Sequence, residues 1–80
     1  MGYHKRKIPR GVYGHFSKIE EEFIELKDAW EQDDNILQLC ELSDLYGAIE
    51  QYVWYRFDME MEDLKKFSDK TKQAFKDGSR

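Results

Sequence analysis

The sequence predicts an all-α protein whose protomer has three helices, a helix-turn-helix core followed by a C-terminal helix. Apolar residues recur every three or four positions in three stretches, and polar or turn-forming residues separate these stretches. Hydrophobic residues make up 40% of the 80 positions and aromatic residues 15%, a composition that is too apolar for a disordered chain. We therefore expect a single helical domain at positions 17–80, preceded by an extended basic arm at positions 1–16.

The predicted arm contains Pro9, Gly11 and Gly14 and shows no sustained helical or strand period. We favour a solvated flexible terminus; the alternative is that its charges reach a phosphate or an acidic face of a neighbouring subunit. No second metal-ligand residue lies at a suitable spacing from His4 or His15, so we assign neither histidine a role. The basic residues of the arm are Lys5, Arg6, Lys7 and Arg10.

The first helix is predicted to begin at Ser17, because Ser17 and Glu20 fit the S-x-x-E capping box. Glu22 and Glu25 lie at the edge of its apolar stripe, whereas Asp28 points away from that stripe. The stripe is predicted to face a core and consists of Ile19, Phe23, Leu26 and Trp30.

The second helix is predicted from about Ile36 to Tyr55, after a short polar connection in which Asp33, Asp34 or Asn35 provides the cap. Such a connection favours antiparallel packing on the first helix. Cys40 is predicted to be a buried small side chain in a reducing compartment. The helix is apolar around most of its circumference, which predicts that a second subunit covers it. Its main stripe is Leu39, Leu42, Tyr46, Ile49 and Val53.

The third helix is predicted from about Met61 to Lys76, with Asp58 or Glu60 as its cap and Gly78 at its end. It is rich in lysine, and we expect most of these lysines to form a solvated face. The predicted inner residues are Leu64, Phe67, Thr71 and Phe75.

Two acidic pairs give the first two helices a candidate site. Side chains three positions apart on a helix stand on the same side, with Cβ atoms about 5–6 Å apart. In an antiparallel hairpin the pairs would meet and offer oxygen ligands to a hard cation such as Mg²⁺. The alternative is an exposed acidic surface, with Glu22 paired to Lys18 or Lys27. The pairs are Glu22 with Glu25, and Glu41 with Asp44.

Charge and hydropathy restrict the partners and the compartment. The formal net charge of −4 argues against general nucleic-acid binding, because neutralising phosphates requires a basic surface. No apolar run approaches the length of about 20 residues that a bilayer-spanning helix needs, and the basic start is not followed by the apolar segment of a signal peptide. We therefore expect a cytoplasmic protein that does not bind membranes.

The acidic motifs also carry a family resemblance. E-E-x-x-E-L at positions 21–26, followed by E-L-S-D-L at positions 41–45, resembles the E-E-x-x-E…E-x-x-D signature of the MazG-like, all-α nucleoside triphosphate pyrophosphohydrolases. Positions 64–75 are similar to the family's final-helix pattern L-x-K-A-N-x-K-F-x-R-R-F. Leu64, Lys66, Lys70 and Phe75 match that pattern, whereas Ser68 stands in place of Asn, and Gln73 and Ala74 stand in place of Arg. The resemblance covers positions 17–75, and the chain is similar to the very short members found in bacteriophage genomes.

The resemblance implies Mg²⁺-dependent cleavage of a nucleoside triphosphate or a related nucleotide between the α and β phosphates, with Mn²⁺ as an alternative ion. The products would be a monophosphate and pyrophosphate. It also implies a homo-oligomer, a dimer or a tetramer, with a four-helix core. The departures in the final helix favour an alternative, a catalytically weak or inactive nucleotide-binding or protein-interaction module that keeps the fold. The implied metal ligands are Glu22, Glu25, Glu41 and Asp44, the implied catalytic helper to water is Glu21, and the implied phosphate-binding residues are Lys70 and Lys66.

Overall fold

The computed structural model describes residues 4, 5 and 7–78; Arg6 of the predicted basic arm lies outside the described residues. The described ranges contain three α-helices and no strand, which confirms the all-α class. Helix α1 spans Phe16–Glu31, α2 spans Asn35–Phe57 and α3 spans Met61–Lys76. The predicted limits of α3 are confirmed, and α2 extends slightly beyond its predicted ends at both sides. Within the described ranges, no helix combines the length and the apolar composition needed to cross a bilayer.

Helices α1 and α2 form an antiparallel hairpin. The ring of Phe16, at the start of α1, packs edge-on against Tyr52 near the end of α2, with 6.0 Å between centroids. The connection between the helices is three residues long, and in it Asp34 caps α2 by accepting a 2.9 Å hydrogen bond from the Leu37 N–H. Ala29 and Ala48 are buried, and such small side chains allow helices to approach closely.

The start of α1 differs from the prediction. The N-cap residue is His15, no side-chain cap is present, and the helix begins one residue earlier than expected. The predicted capping box of Ser17 and Glu20 is wrong because the Ser17 hydroxyl accepts a 3.0 Å hydrogen bond from the backbone N–H of Val12, which lies in the arm.

The described part of the arm folds back along the hairpin. The backbone N–H of Gly11 donates to Glu21 Oε1 at 2.7 Å, and His4 contacts the side chains of Asp28 and Glu41. The arm therefore runs along α1 in the direction opposite to that helix. Our preference for a solvated flexible terminus is wrong for these residues, because the acidic face of the same chain provides hydrogen-bond acceptors for the arm.

Most large apolar side chains lie on the surface of the protomer. Phe23 is 55% exposed and Trp30 64% exposed, so the prediction that the α1 stripe faces a core is wrong for these two residues within one chain, whereas Ile19 and Leu26 are half-buried. On α2, Leu39 is 68% exposed, and Cys40 is exposed rather than buried. The physical reason is that a single hairpin has only one packed seam. The buried apolar side chains are Ala29, Ala48 and Val53.

Helix α3 projects from the hairpin. The chain measures 44 × 28 × 18 Å, and its radius of gyration of 15.0 Å exceeds the roughly 12 Å expected of a compact 80-residue domain. Asp58 takes a left-handed conformation (φ 54°) that ends α2, and Glu60 caps α3, with the Asp63 carboxylate accepting the Glu60 N–H at 3.1 Å. Helix α3 buries none of its described residues and makes no contact with α1, so its predicted inner positions are wrong for the isolated chain. Of these positions, Leu64, Phe67 and Phe75 are exposed.

The close approach of Gly11 to α1 gives a test of arm docking. A Cβ added at Gly11 would overlap the backbone oxygen of Ser17, so a Gly11→Ala substitution must lift this part of the arm. Glu21 would then lose the Gly11 N–H, and we expect the free energy of unfolding to fall by about 1–3 kcal/mol, measured by urea denaturation. Lys7→Ala, at an exposed arm position, is the control and should change stability little. Equal stability of the two variants would contradict the docked arm.

Candidate metal centre

Antiparallel packing brings together the two predicted acidic pairs. Glu22 and Glu25 extend from α1, and Glu41 and Asp44 extend from α2. Each of the four offers one carboxylate oxygen, and these four oxygen atoms all lie within 4.8 Å of one another. The pairs meet because the side chains three positions apart share a helix face and the short connection places the two faces opposite each other. Four oxygen ligands converge at one point on the hairpin.

Two of the converging carboxylates are buried and incompletely paired. Glu22 is 4% exposed and Glu41 5% exposed, whereas Asp44 is exposed. The Oε1 atoms of Glu22 and Glu41 are both buried, and neither makes a hydrogen bond with the described part of the chain. Burying a charged oxygen without a partner costs free energy, which a bound cation would offset. The donor set, four carboxylates, suits a hard divalent cation such as Mg²⁺.

Lys18 supplies a counter-charge beside the cluster. Its Nζ lies 3.1 Å from Glu22 Oε2 and 3.2 Å from Glu21 Oε1. Burial opposes the charge on Lys18, but the hydrogen bonds to Glu22 and Glu21 outweigh this effect and raise its pKa. The expected alternative pairing of Glu22 with Lys18 is therefore present, but it uses Oε2 and leaves Oε1 without a hydrogen bond.

The crowding of acids changes their proton affinity. Burial raises the pKa of Glu22 to about 7, and the neighbouring Glu25 carboxyl group adds to this effect, while Lys18 opposes it. Burial also raises the pKa of Glu25, and the negative charge of Glu41 contributes. Near neutral pH, protons therefore compete with a cation for this cluster.

Glu21 lies outside the group of converging oxygen atoms. Its Oε1 accepts hydrogen bonds from the Gly11 N–H and from Lys18 Nζ. Burial alone would raise the pKa of Glu21, but these two donors, with the charge of Arg10, lower it. In this chain Glu21 joins the arm to α1 and holds the lysine that pairs with Glu22.

His4, to which sequence analysis assigned no role, contacts the cluster directly. Its Nδ1 lies 2.9 Å from Asp28 Oδ2 and its Nε2 lies 2.8 Å from Glu41 Oε2. Burial disfavours protonation of His4, but the hydrogen bonds to Asp28 and Glu41 together outweigh it and raise its pKa. Asp28 is only 3% exposed although it lies away from the apolar stripe, because the arm covers this side of α1. The only sequence signal for these contacts was the basic character of the arm beside an acidic helix.

The predicted phosphate-binding lysines do not lie beside the four carboxylates in one chain. Lys66 and Lys70 are exposed on α3, where they border a shallow groove with Met59 and Phe67. Because α3 makes no contact with α1, the structure does not bring these lysines to the carboxylates within one chain. A depression between the arm and α1 does contain cations beside Glu22 and Glu25, namely Arg10 and Lys18.

The chain matches no protein-family model, no curated protein and no solved structure. Its function is therefore inferred from the residues of the site and from the sequence resemblance.

The raised pKa of Glu22 predicts a dependence of stability on pH when divalent cations are absent. The pKa of the Glu22 carboxyl group is 4.5 in the unfolded chain and about 7 in the folded chain. Its protonation therefore favours the folded state, and this contribution is fully present below pH 4.5. That contribution, roughly 3 kcal/mol, is lost as the pH rises through the folded-state pKa of about 7. We expect the free energy of unfolding of the wild type, measured in urea with a chelator, to fall over this range, and that of Glu22→Gln to fall less.

Glu20→Gln is the matched control for this measurement, because Glu20 lies on the same helix but is exposed. It should retain the wild-type slope. If the free energy of unfolding of Glu22→Gln fell with pH as steeply as that of the wild type, Glu22 would not be the group whose protonation causes the fall.

Proposed function

We propose that the chain is a Mg²⁺-dependent nucleotide pyrophosphohydrolase. It would add water across the bond between the α and β phosphates of a nucleoside triphosphate or related nucleotide, releasing a monophosphate and pyrophosphate. The observation that carries the proposal is the convergence of four carboxylates from antiparallel helices, with two of the buried oxygen atoms making no hydrogen bond to residues 4, 5 or 7–78. The same side chains occupy the acidic positions of the MazG-like signature that the sequence resembles.

The residues that would hold Mg²⁺ are Glu22, Glu25, Glu41 and Asp44. When bound, Mg²⁺ supplies charge neutralisation and polarisation of a phosphoryl oxygen. The chain itself fixes the carboxylates on two packed helices, so that little reorganisation is needed to present them. Lys18 holds Glu22 from one side, and the hydrogen bond from the Gly11 N–H holds Glu21, which keeps the acidic face ordered.

The cations beside the cluster fit the phosphates of a nucleotide. Arg10 and Lys18 border the depression that contains Glu22 and Glu25, so positive charge lies next to the proposed metal ligands. Lys66 and Lys70 have no such position within one chain. In an oligomer, the α3 helix of a second copy is available to bring these lysines to the cluster. The phosphates would thus contact the arm and α1 of one subunit and the α3 lysines of another subunit.

A homo-oligomer is part of the proposal. Large apolar side chains on both hairpin helices are exposed in the protomer, and monomeric proteins rarely expose an apolar surface of this extent. A second copy packing its own hairpin against this surface would produce a four-helix core. The exposed side chains of the two helices include Phe23, Trp30, Ile36, Leu39, Leu42 and Tyr46.

The hydrolase proposal is tested with a panel of canonical, deoxy, modified and alarmone nucleotides, incubated with Mg²⁺ and separated by chromatography. We expect at least one of them to yield a monophosphate and pyrophosphate, and Glu41→Gln to lower the rate roughly a hundredfold or more because a converging carboxylate loses its charge. Glu50→Gln, at an exposed position on the same helix, should retain activity.

A wild-type rate no higher than that of Glu41→Gln would overturn hydrolysis for every nucleotide in the panel. Calorimetry then separates the remaining function: nucleotide binding without turnover indicates the non-catalytic binding module that the departures at Ser68, Gln73 and Ala74 favour.

The oligomer is tested by placing a charge on the exposed apolar surface. Leu39→Glu should weaken self-association by roughly tenfold or more in Kd, because a buried leucine contributes about 1.5–3 kcal/mol and a buried charge costs more. Sedimentation equilibrium measures the change. Asn35→Glu adds the same charge at an exposed position on the same helix and should leave the association intact. A wild-type protein that sediments as a monomer would contradict the proposal.

A further inference from the structure

We propose that His4, Glu25 and Glu41 form a second cation site, which binds a first-row transition metal of the Zn²⁺ class through the His4 imidazole. One donor atom from each of the three side chains lies within 4.8 Å of the other two. This site shares Glu25 and Glu41 with the four-carboxylate cluster but uses a nitrogen ligand from the arm. It stands on its own geometry and does not require that the protein hydrolyse a nucleotide.

The His4 ring is held in the orientation that a metal ligand needs. Its Nδ1 lies 2.9 Å from Asp28 Oδ2, so one ring nitrogen is occupied by a carboxylate. The same Asp28 oxygen accepts hydrogen bonds from the Lys5 backbone N–H at 3.2 Å and from Gln32 Nε2 at 2.9 Å. Metal-binding histidines commonly donate their second ring N–H to a carboxylate, which fixes the tautomer and the ring plane. Asp28 is thus a positioning residue, and Nε2 is the nitrogen left to face the cluster.

The spacing between His4 and Glu41 is close to that of two ligands on one ion. His4 Nε2 lies 2.8 Å from Glu41 Oε2. Two donor atoms that are each about 2.1 Å from a shared ion are about 3.0 Å apart at an octahedral angle and about 3.4 Å apart at a tetrahedral one. Bringing an ion between them therefore requires a small outward movement of the ring and release to solvent of the proton shared by Nε2 and Oε2.

The unpaired oxygen of Glu41 favours a cation next to this residue. The Oε1 atom of Glu41 is buried and makes no hydrogen bond within the described residues, while Oε2 faces His4. Glu41 is only 5% exposed, so water does not readily solvate this oxygen. Glu41 belongs to both donor groups, so its carboxylate is suited to bridge two ions, as in paired-metal sites with ions about 3.5–4 Å apart.

The donor types separate the two sites by metal preference. Mg²⁺ is bound by carboxylate and water oxygens, whereas imidazole nitrogen favours Zn²⁺ and related transition metals. The four-carboxylate cluster offers only oxygen, and the second site adds one imidazole. The affinity for Zn²⁺ should therefore depend on His4, and the affinity for Mg²⁺ should not.

Calorimetric titration of the full chain with Zn²⁺, with Mg²⁺ in excess, tests the proposal. We expect His4→Ala to weaken Zn²⁺ binding at least about tenfold and to change Mg²⁺ affinity, measured separately, much less. His15→Ala is the matched control: His15 is the second histidine of the chain, is exposed and lies outside both donor groups, so its loss should change neither affinity. Asp28→Asn should weaken Zn²⁺ binding by a smaller factor than His4→Ala, because it releases the ring without removing it.

Nitrogen NMR of the imidazole rings gives a direct readout. On addition of Zn²⁺ the Nε2 signal of His4 should shift as a ligand does, and the His15 ring should not change. The proposal is overturned if Zn²⁺ affinity is unchanged in His4→Ala, if Zn²⁺ and Mg²⁺ affinities fall by the same factor, or if the His4 ring signal does not move. Neither the calorimetric nor the NMR measurement includes a nucleotide, so their results do not depend on whether the chain is a hydrolase.

Discussion

The burial of negative charge between α1, α2 and the arm is the constraint on which the rest of the structure depends. Glu21, Glu22, Asp28 and Glu41 are all buried, and a carboxylate removed from water is unstable unless a charge or a donor compensates it. Each compensating group comes from a specific place: Lys18 from one turn earlier on α1, and the Gly11 N–H and the His4 ring from the arm. The arm is ordered against the hairpin because these acids require partners.

The same hairpin leaves its large apolar side chains uncovered. Its seam is formed by small residues such as Ala29 and Ala48, which bring the helix backbones close and let the acidic pairs meet. Bulkier residues at the seam would hold the helices further apart and separate the carboxylates. Close approach of the helices thus favours the site but leaves a small core. A domain of 80 residues with so little buried apolar area would gain stability from the second subunit proposed above.

Features set by neighbouring residues were predictable from the sequence, and features set by distant contacts were not. The limits of α3 and the Asp34 cap follow from local patterns, and the meeting of the acidic pairs follows from helical spacing plus a short connection. The capping box at Ser17 failed because a competing donor, the Val12 N–H, comes from the arm. The role of His4 was missed because its partners lie 24 and 37 positions away, where no spacing rule applies.

Helical periodicity also identifies which residues share a face without identifying what covers that face. It grouped Phe23 with Trp30 correctly as one stripe, yet both are exposed in the protomer. Conversely, Asp28 lies away from that stripe and is buried, because the arm packs on the side of α1 that the apolar pattern marks as solvent. The acidic face of α1 is therefore covered by the arm. For the apolar face of α1 we propose a second copy of the chain as the cover.

Glu41 is the residue at which the arm and the proposed metal sites become coupled. The arm reaches Glu41 through His4, and Glu41 is also a member of the four-carboxylate cluster. A cation bound through Glu41 Oε2 must either incorporate the His4 ring or displace it, so cation binding at the second site and arm docking bias each other by the same free energy. The second link between arm and cluster, from Gly11 through Glu21 and Lys18 to Glu22, makes this coupling act at both ends of the acidic face. On this proposal, the basic arm is part of the metal centre, and a chain lacking it would present the same four carboxylates without the imidazole ligand of the second site.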